Sequence, residues 1–157
     1  MPTRLIAFLI VLAVCSAVPA QDMVPFVIPA EPSEKSLIAA PPLPAIAPDG
    51  PRVIVKDGRF SLGGKRYRVW GMNMCFGGCF PDKENARRVA ARLAAAGVNS
   101  VRFHHMDSAN YPRGIWKKGS NELSEEALVR LDGFIDQLAK RGITSNINLH
   151  VGALHSK

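Results

Sequence analysis

The hydrophobic and polar positions of the chain follow two different periods in its second half. Residues 98–103 and 143–151 combine β-branched and aromatic residues with polar ones, as short strands do. Residues 124–142 carry leucine and isoleucine at spacings of three and four, which is typical of a helix. The segment 82–96, between Pro81 and Gly97, has the same spacing with mostly alanine. Helix, strand, helix and strand in this order predict parallel βαβ units with right-handed connections.

Residues 52–73 consist of three short β-rich runs separated by turn residues. The pairs Asp57-Gly58 and Gly63-Gly64 are typical of tight hairpin turns. The third run continues into Gly71, so we expect a small β-hairpin unit that leads into the first strand of the larger sheet. The predicted fold class is α/β, with about three parallel strands and two helices. A closed eight-stranded barrel needs about 250 residues, so these elements amount to only its N-terminal part.

The first twenty residues have the pattern of a secretory signal peptide. Arg4 precedes a short apolar run at 5–14, and Val18-Pro19-Ala20 offers a cleavage site before Gln21. The run is too short to span a bilayer. A lipid-attachment signal ending at Cys15 is the alternative, although the preceding Val14 is larger than the small residue normally found there. We expect cleavage, a secreted or periplasmic protein, and no stable membrane insertion.

Residues 21–51 are predicted to form a proline-rich linker. Eight prolines in this segment block both helices and regular sheet hydrogen bonding. The segment is either a tether or an extended stretch that wraps the domain, and residues 37–47 are apolar enough to rest on a surface. The remaining residues, 52–157, form one incomplete domain.

Charge and cysteine content narrow the function classes. The formal net charge is +7, and loss of Arg4 with the signal leaves +6. We interpret the cations as scattered over a solvated surface rather than gathered in one stripe, which argues against a nucleic-acid partner. After cleavage only Cys75 and Cys79 remain, and export favours an oxidising compartment. A disulfide between them and two free thiols are both compatible with the sequence.

Polar side chains gather where two predicted strands end. Arg102 and His104 alternate with apolar residues in one strand, followed by His105 and Asp107, and Asn148 and His150 end the other strand. Reactive groups of parallel α/β folds collect at the carboxyl ends of strands, because the strand fixes the side chain while the next loop opens to substrate. This pattern predicts a functional rim.

Two other interpretations of the rim stay open. Three histidines, His104, His105 and His150, suggest a metal site, but adjacent side chains of a regular strand diverge, and two cysteines do not complete a zinc site. We therefore expect no metal and no cofactor. Alternatively, Arg102 and His150 only tie strand ends together through hydrogen bonds.

Three blocks of this sequence, at 64–73, 97–105 and 148–150, resemble the start of a glycoside hydrolase of the cellulase-like family 5, one of the retaining (β/α)8 glycosidases. The resemblance covers residues 52–152, and its most specific part is the Gly-Val-Asn-x-Val-Arg sequence at 97–102. It implies the N-terminal part of a TIM barrel and a polysaccharide or oligosaccharide as the partner.

The resemblance also implies roles for individual residues. Arg102 matches an arginine that supports the nucleophilic carboxylate, and His150 matches a histidine that lines the sugar subsite. The expected substrate-binding residues are Asn73, His104, His105, Asp107, Asn148 and Trp116.

The catalytic pair itself is not expected in this chain. Retaining hydrolysis needs two carboxyl groups about 5 Å apart, and the family's glutamates follow the fourth and seventh strands, whereas three strands are predicted here. Asp82 and Asp107 follow the first two strands, but nothing in their context marks them as a replacement pair. We expect an inactive fragment of a hydrolase of β-linked polysaccharide, the alternative being a truncated, non-catalytic protein that binds carbohydrate or another partner.

Overall fold

The structure, a computed structural model, describes residues 40–148 and 150–152. A three-stranded antiparallel sheet comes first and a three-stranded parallel sheet with two helices follows it. The antiparallel sheet contains β1 (Ile54–Lys56), β2 (Arg59–Leu62) and β3 (Lys65–Arg66). The parallel part contains β4 (Gly71–Cys75), α1 (Lys83–Ala95), β5 (Ser100–His104), α2 (Glu125–Ala139) and β6 (Thr144–Ile147). The predicted mixed α/β order with three parallel strands and two helices is confirmed.

Local sequence signals set where both helices begin. The side chain of Asp82 accepts a hydrogen bond from the Asn85 amide at 2.8 Å, and that of Ser124 accepts one from the Ala127 amide at 3.3 Å. These caps satisfy amide groups that have no partner within the helix. The last strand is shorter than predicted, because β6 ends at Ile147 and the chain leaves the sheet before His150.

The two helices cover only one face of the parallel sheet. Val101 and Phe103 of β5 are fully buried on this face, and the Phe103 ring meets Phe134 of α2 edge to face at 5.7 Å. The opposite face carries Asn73 and Arg102, which are paired in register and exposed. Alternation along the strands therefore separates an apolar, covered face from a polar, open one.

The antiparallel sheet is fastened at the amino ends of β5 and β6. Asn99 receives a hydrogen bond from the Trp70 amide at 2.8 Å and donates one to the Arg68 carbonyl at 2.7 Å. The Tyr67 hydroxyl donates to the Asn99 carbonyl and lies 3.1 Å from Oγ1 of Thr144. Burial raises the pKa of Tyr67. The asparagine of the Gly-Val-Asn sequence is thus a structural connector, at the end of the sheet opposite the polar strand ends.

The described part of the proline-rich segment lies against the carboxyl ends of both helices. The Ala40 amide donates to the Ala95 carbonyl, and the Ile46 amide to the Ala139 carbonyl, each at 2.8 Å. These bonds satisfy carbonyl groups that the helices leave without an internal partner. Of the two predicted forms, tether and wrapping stretch, residues 40–50 adopt the second. Among the residues described, none belongs to a helix long and apolar enough to cross a bilayer.

Candidate functional site

The candidate site is a row of polar side chains across the open sheet face. Asn73 of β4, Arg102 of β5 and Asn146 of β6 are register partners, and all three are exposed. Two residues nearer the carboxyl ends of β4 and β5, Cys75 is the register partner of His104. An amide, a guanidinium and an amide therefore lie side by side across three strands, which gives several hydrogen-bond donors to one ligand.

The strand ends bring two further side chains into contact. Asn148 follows β6, and its Nδ2 lies 3.0 Å from Nδ1 of His104. Desolvation lowers the pKa of His104, and the positive charges of His105 and Arg102 lower it further, against the opposing effect of Asp107. This shift favours the neutral imidazole, which can accept a hydrogen bond as well as donate one.

His105 does not diverge from His104 as a regular strand would require. It lies beyond β5 and has a φ of 55°, and its ring is centred 4.2 Å from that of His104. Its other contacts are a parallel stack on Phe76 at 5.0 Å and a 3.1 Å approach of Nδ1 to Oγ of Ser108. The divergence expected of a regular strand does not apply here, because the strand ends between the two residues.

Phe76 was not identified from the sequence. It also has a positive φ, 50°, and the guanidinium of Arg113 lies 5.4 Å from its ring centre. Non-glycine residues with positive φ are uncommon, and two in contact at the strand ends mark a specifically built surface. The position of Phe76 directly after a strand was a usable signal, but nothing in the sequence connects Arg113 to it.

Asp107 lies at the rim, but its carboxylate accepts hydrogen bonds from backbone amides of the protein itself. The residue is buried, and Oδ2 accepts hydrogen bonds from the amides of Val151 at 2.8 Å and Gly152 at 3.4 Å. Its backbone carbonyl accepts a 2.7 Å bond from Nε1 of Trp116, which is half-buried. Asp107 thus connects the loop after β5 to the segment after β6, and Trp116 holds Asp107 within that loop.

The two residues assigned supporting roles lie on exposed parts of the rim. Arg102 and His150 make no hydrogen bond or ion pair with another residue in the described ranges. The structure brings Asn73, Arg102, His104, His105 and Asn148 together on or beside the open face. His150 lies beyond the end of β6 and does not join this group by a contact.

The cysteines are free thiols in this structure. Cys75 is exposed, whereas Cys79 is fully buried and its thiol lies 3.4 Å from the carbonyl oxygen of Met74 and 3.8 Å from that of His104. Burial raises the pKa of Cys79 to about 11. The suggested disulfide is therefore not formed, because one thiol faces solvent and the other is directed into the protein.

Metal-ligating side chains do not converge in the described part of the chain. No group of three or more histidine, cysteine, aspartate or glutamate residues there could hold a metal ion.

No protein-family model matches the chain, and no curated protein matches it. Fold and site define an α/β protein with a parallel sheet, helices on one face, and a polar rim on the other.

Proposed function

We propose that the chain carries the first three strands of a secreted (β/α)8 glycoside hydrolase domain similar to the cellulase-like family 5, acting on β-linked polysaccharide. The open, polar face of the parallel sheet is the main support. Open parallel sheets normally have both faces covered by helices and are apolar on both. In a barrel, one face is covered by helices and the other faces the lumen, whose carboxyl end holds the active site. The row formed by Asn73, Arg102 and Asn146 fits the second arrangement.

The sheet edges give further support. In the described residues β4 and β6 each pair only with β5, so each has one free edge. The antiparallel sheet also has an apolar side that β4, β5 and β6 leave largely uncovered. On this side, the cross-strand partners Val55 and Phe60 are 70% and 51% exposed. The neighbouring Tyr67 donates its amide to the Phe60 carbonyl, and its hydroxyl donates to the Asn99 carbonyl just before β5. Additional parallel strands would cover this apolar side.

The proposed roles follow the rim geometry. Arg102, exposed and without a described ion-pair partner, supports the nucleophilic carboxylate, and His150 lines a sugar subsite. The two aspartates that follow strands do not form the catalytic pair, since Asp82 caps α1 and Asp107 binds backbone amides. Retaining hydrolysis needs two carboxyl groups about 5 Å apart, so these residues alone do not supply the chemistry.

A turnover assay tests this proposal. We expect the purified 157-residue chain to release no reducing sugar from a panel of β-glucans and β-mannans, because neither Asp82 nor Asp107 is placed as an acid or nucleophile. The variant Asp107→Asn keeps the shape of the side chain and serves as the control. Turnover that disappears in this variant, with the melting temperature unchanged, would contradict the assignment and make Asp107 a catalytic group.

A second function, non-catalytic carbohydrate binding, is favoured by one observation. The stacked rings of Phe76 and His105, with Arg113 near Phe76, form a half-buried aromatic group at the rim. Aromatic faces pack against apolar surfaces while leaving ring edges available for polar contacts. Under this function the rim binds sugar without any added carboxylate.

A further inference from the structure

The excess positive charge of the chain is concentrated in the segment that contains the antiparallel sheet. Residues 52–68 contain six lysine or arginine residues and one aspartate, which is +5 of the formal +7. The six are Arg52, Lys56, Arg59, Lys65, Arg66 and Arg68, and every one is exposed. None forms an ion pair with another residue in the described ranges. The interpretation of the cations as scattered overlooks this segment.

The register of the sheet places three of these cations on one side. Lys56 of β1 is the direct cross-strand partner of Arg59 of β2. Ser61 lies two residues after Arg59 in β2, and its partner in β3 is Arg66. Alternation puts Lys56, Arg59 and Arg66 on the same side, which we call the cationic side. Like charges directly opposite each other destabilise a strand pair. An anionic ligand that bridges them would relieve this repulsion.

We propose that the cationic side of the antiparallel sheet binds an acidic polysaccharide, with its carboxylates paired to Lys56, Arg59 and Arg66. Guanidinium groups bind carboxylates through paired hydrogen bonds, which favours arginine at two of the three positions. The surface lies on the sheet fastened to the amino ends of β5 and β6 through Tyr67 and Asn99. It is therefore separate from the rim and would retain the protein on its polymer.

The composition of this side argues against two other anionic partners, a membrane surface and single-stranded nucleic acid. A membrane-surface site combines cations with large apolar residues that enter the lipid, but Ile54 is the single large apolar residue there and Phe60 lies on the opposite side. Binding of single-stranded nucleic acid relies on aromatic stacking, and this side has no aromatic residue. The choice of a carbohydrate polymer rests on the function proposed above.

Binding to polygalacturonate tests the proposal, with a neutral β-glucan as the uncharged comparison. We expect saturable binding of the wild-type chain to polygalacturonate that weakens as the ionic strength rises from about 0.01 to about 0.15 M, since the Debye length falls from about 30 to about 8 Å. The triple variant Lys56→Gln, Arg59→Gln, Arg66→Gln should bind about tenfold more weakly, which corresponds to about 1.4 kcal/mol.

The matched control removes three charges elsewhere. Lys83→Gln, Arg88→Gln, Lys118→Gln changes three exposed residues outside the antiparallel sheet and should retain wild-type affinity. An equal loss in both triple variants, no saturable binding by the wild type, or tighter binding to phosphatidylglycerol vesicles or DNA would overturn the proposal. The salt titration of the wild type does not depend on how the variants fold. Polygalacturonate binding without any sugar contact at the rim would support this surface while removing the hydrolase proposal.

Discussion

Gly142→Ala is expected to destabilise the protein by about 3 kcal/mol, from about 1–2 kcal/mol for a left-handed backbone and about 1–3 kcal/mol for overpacking. Gly142 has a φ of 72°, and an added Cβ would lie 2.5 Å from both Cβ of Leu43 and the carbonyl oxygen of Pro44. The backbone of the wrapping segment cannot move away without losing its bond to α2. Thermal unfolding followed by circular dichroism measures the effect, and we expect the melting temperature to fall by roughly 10 °C.

Gly119→Ala is the matched control for this substitution. Gly119 has nearly the same φ, 74°, but nothing lies within 4 Å of its added Cβ. The stability loss of this variant should therefore reflect the left-handed backbone alone, about 1–2 kcal/mol. If both variants lose the same stability, residues 40–50 are not packed against the end of α2, and the proline-rich segment is a tether after all.

Asp107→Ala is expected to release the segment after β6 from the rim. The substitution leaves the amides of Val151 and Gly152 without their carboxylate acceptor, and hydrogen bonds to charged groups contribute about 1.5–3 kcal/mol each. We expect a loss of about 3 kcal/mol in urea unfolding, because one of the two bonds is long. The Val151 amide should also exchange its hydrogen faster.

Asp107→Asn separates this role from one in ligand binding. The amide oxygen still accepts a hydrogen bond, so stability and exchange at Val151 should stay nearer to those of the wild type than in the alanine variant. Unchanged exchange at Val151 in Asp107→Ala would show that the carboxylate does not hold this segment. Asp107 would then be available to substrate, as the sequence suggested.

The regular part of the fold could be predicted from the sequence because its signals are local. The spacing of alanine and leucine predicts both helices, and Asp82 and Ser124 fix their starts through caps that involve only the next three residues. The alternation of Arg102 and Phe103 also predicts which side chain faces the helices. Strand ends are less certain, since the end of β6 depends on which residues find partners in β5.

The candidate site was less predictable because its side chains meet through tertiary contacts. The approach of His105 to His104 depends on a left-handed residue just after the strand, and the stack with Phe76 joins positions 29 residues apart. Asp107 reads as a ligand in sequence, yet it binds amides 44 and 45 residues away. The pattern of polar and apolar residues assigns a side chain to a face, but it does not show which groups form hydrogen bonds with it.

The positive charge of the antiparallel sheet, unlike the contacts of the candidate site, is predictable from the sequence. The sequence contains all six cations, and residues 52–68 alone carry +5 of the formal charge. The two-residue turn predicted at Asp57-Gly58 also places Lys56 opposite Arg59, and the register of the sheet confirms this pairing.

An NMR titration with β-linked oligosaccharides tests the central claim, that the open sheet face is the sugar-binding rim, most directly. The wild-type chain is titrated with cellohexaose and with mannohexaose, and backbone and side-chain amide shifts are followed. We predict saturable changes for one of the two sugars at the carboxyl ends of β4, β5 and β6, including the side-chain amides of Asn73 and Asn148, which Arg102→Met should abolish. Shifts confined to β1–β3, or no saturable shift with either sugar, would contradict it.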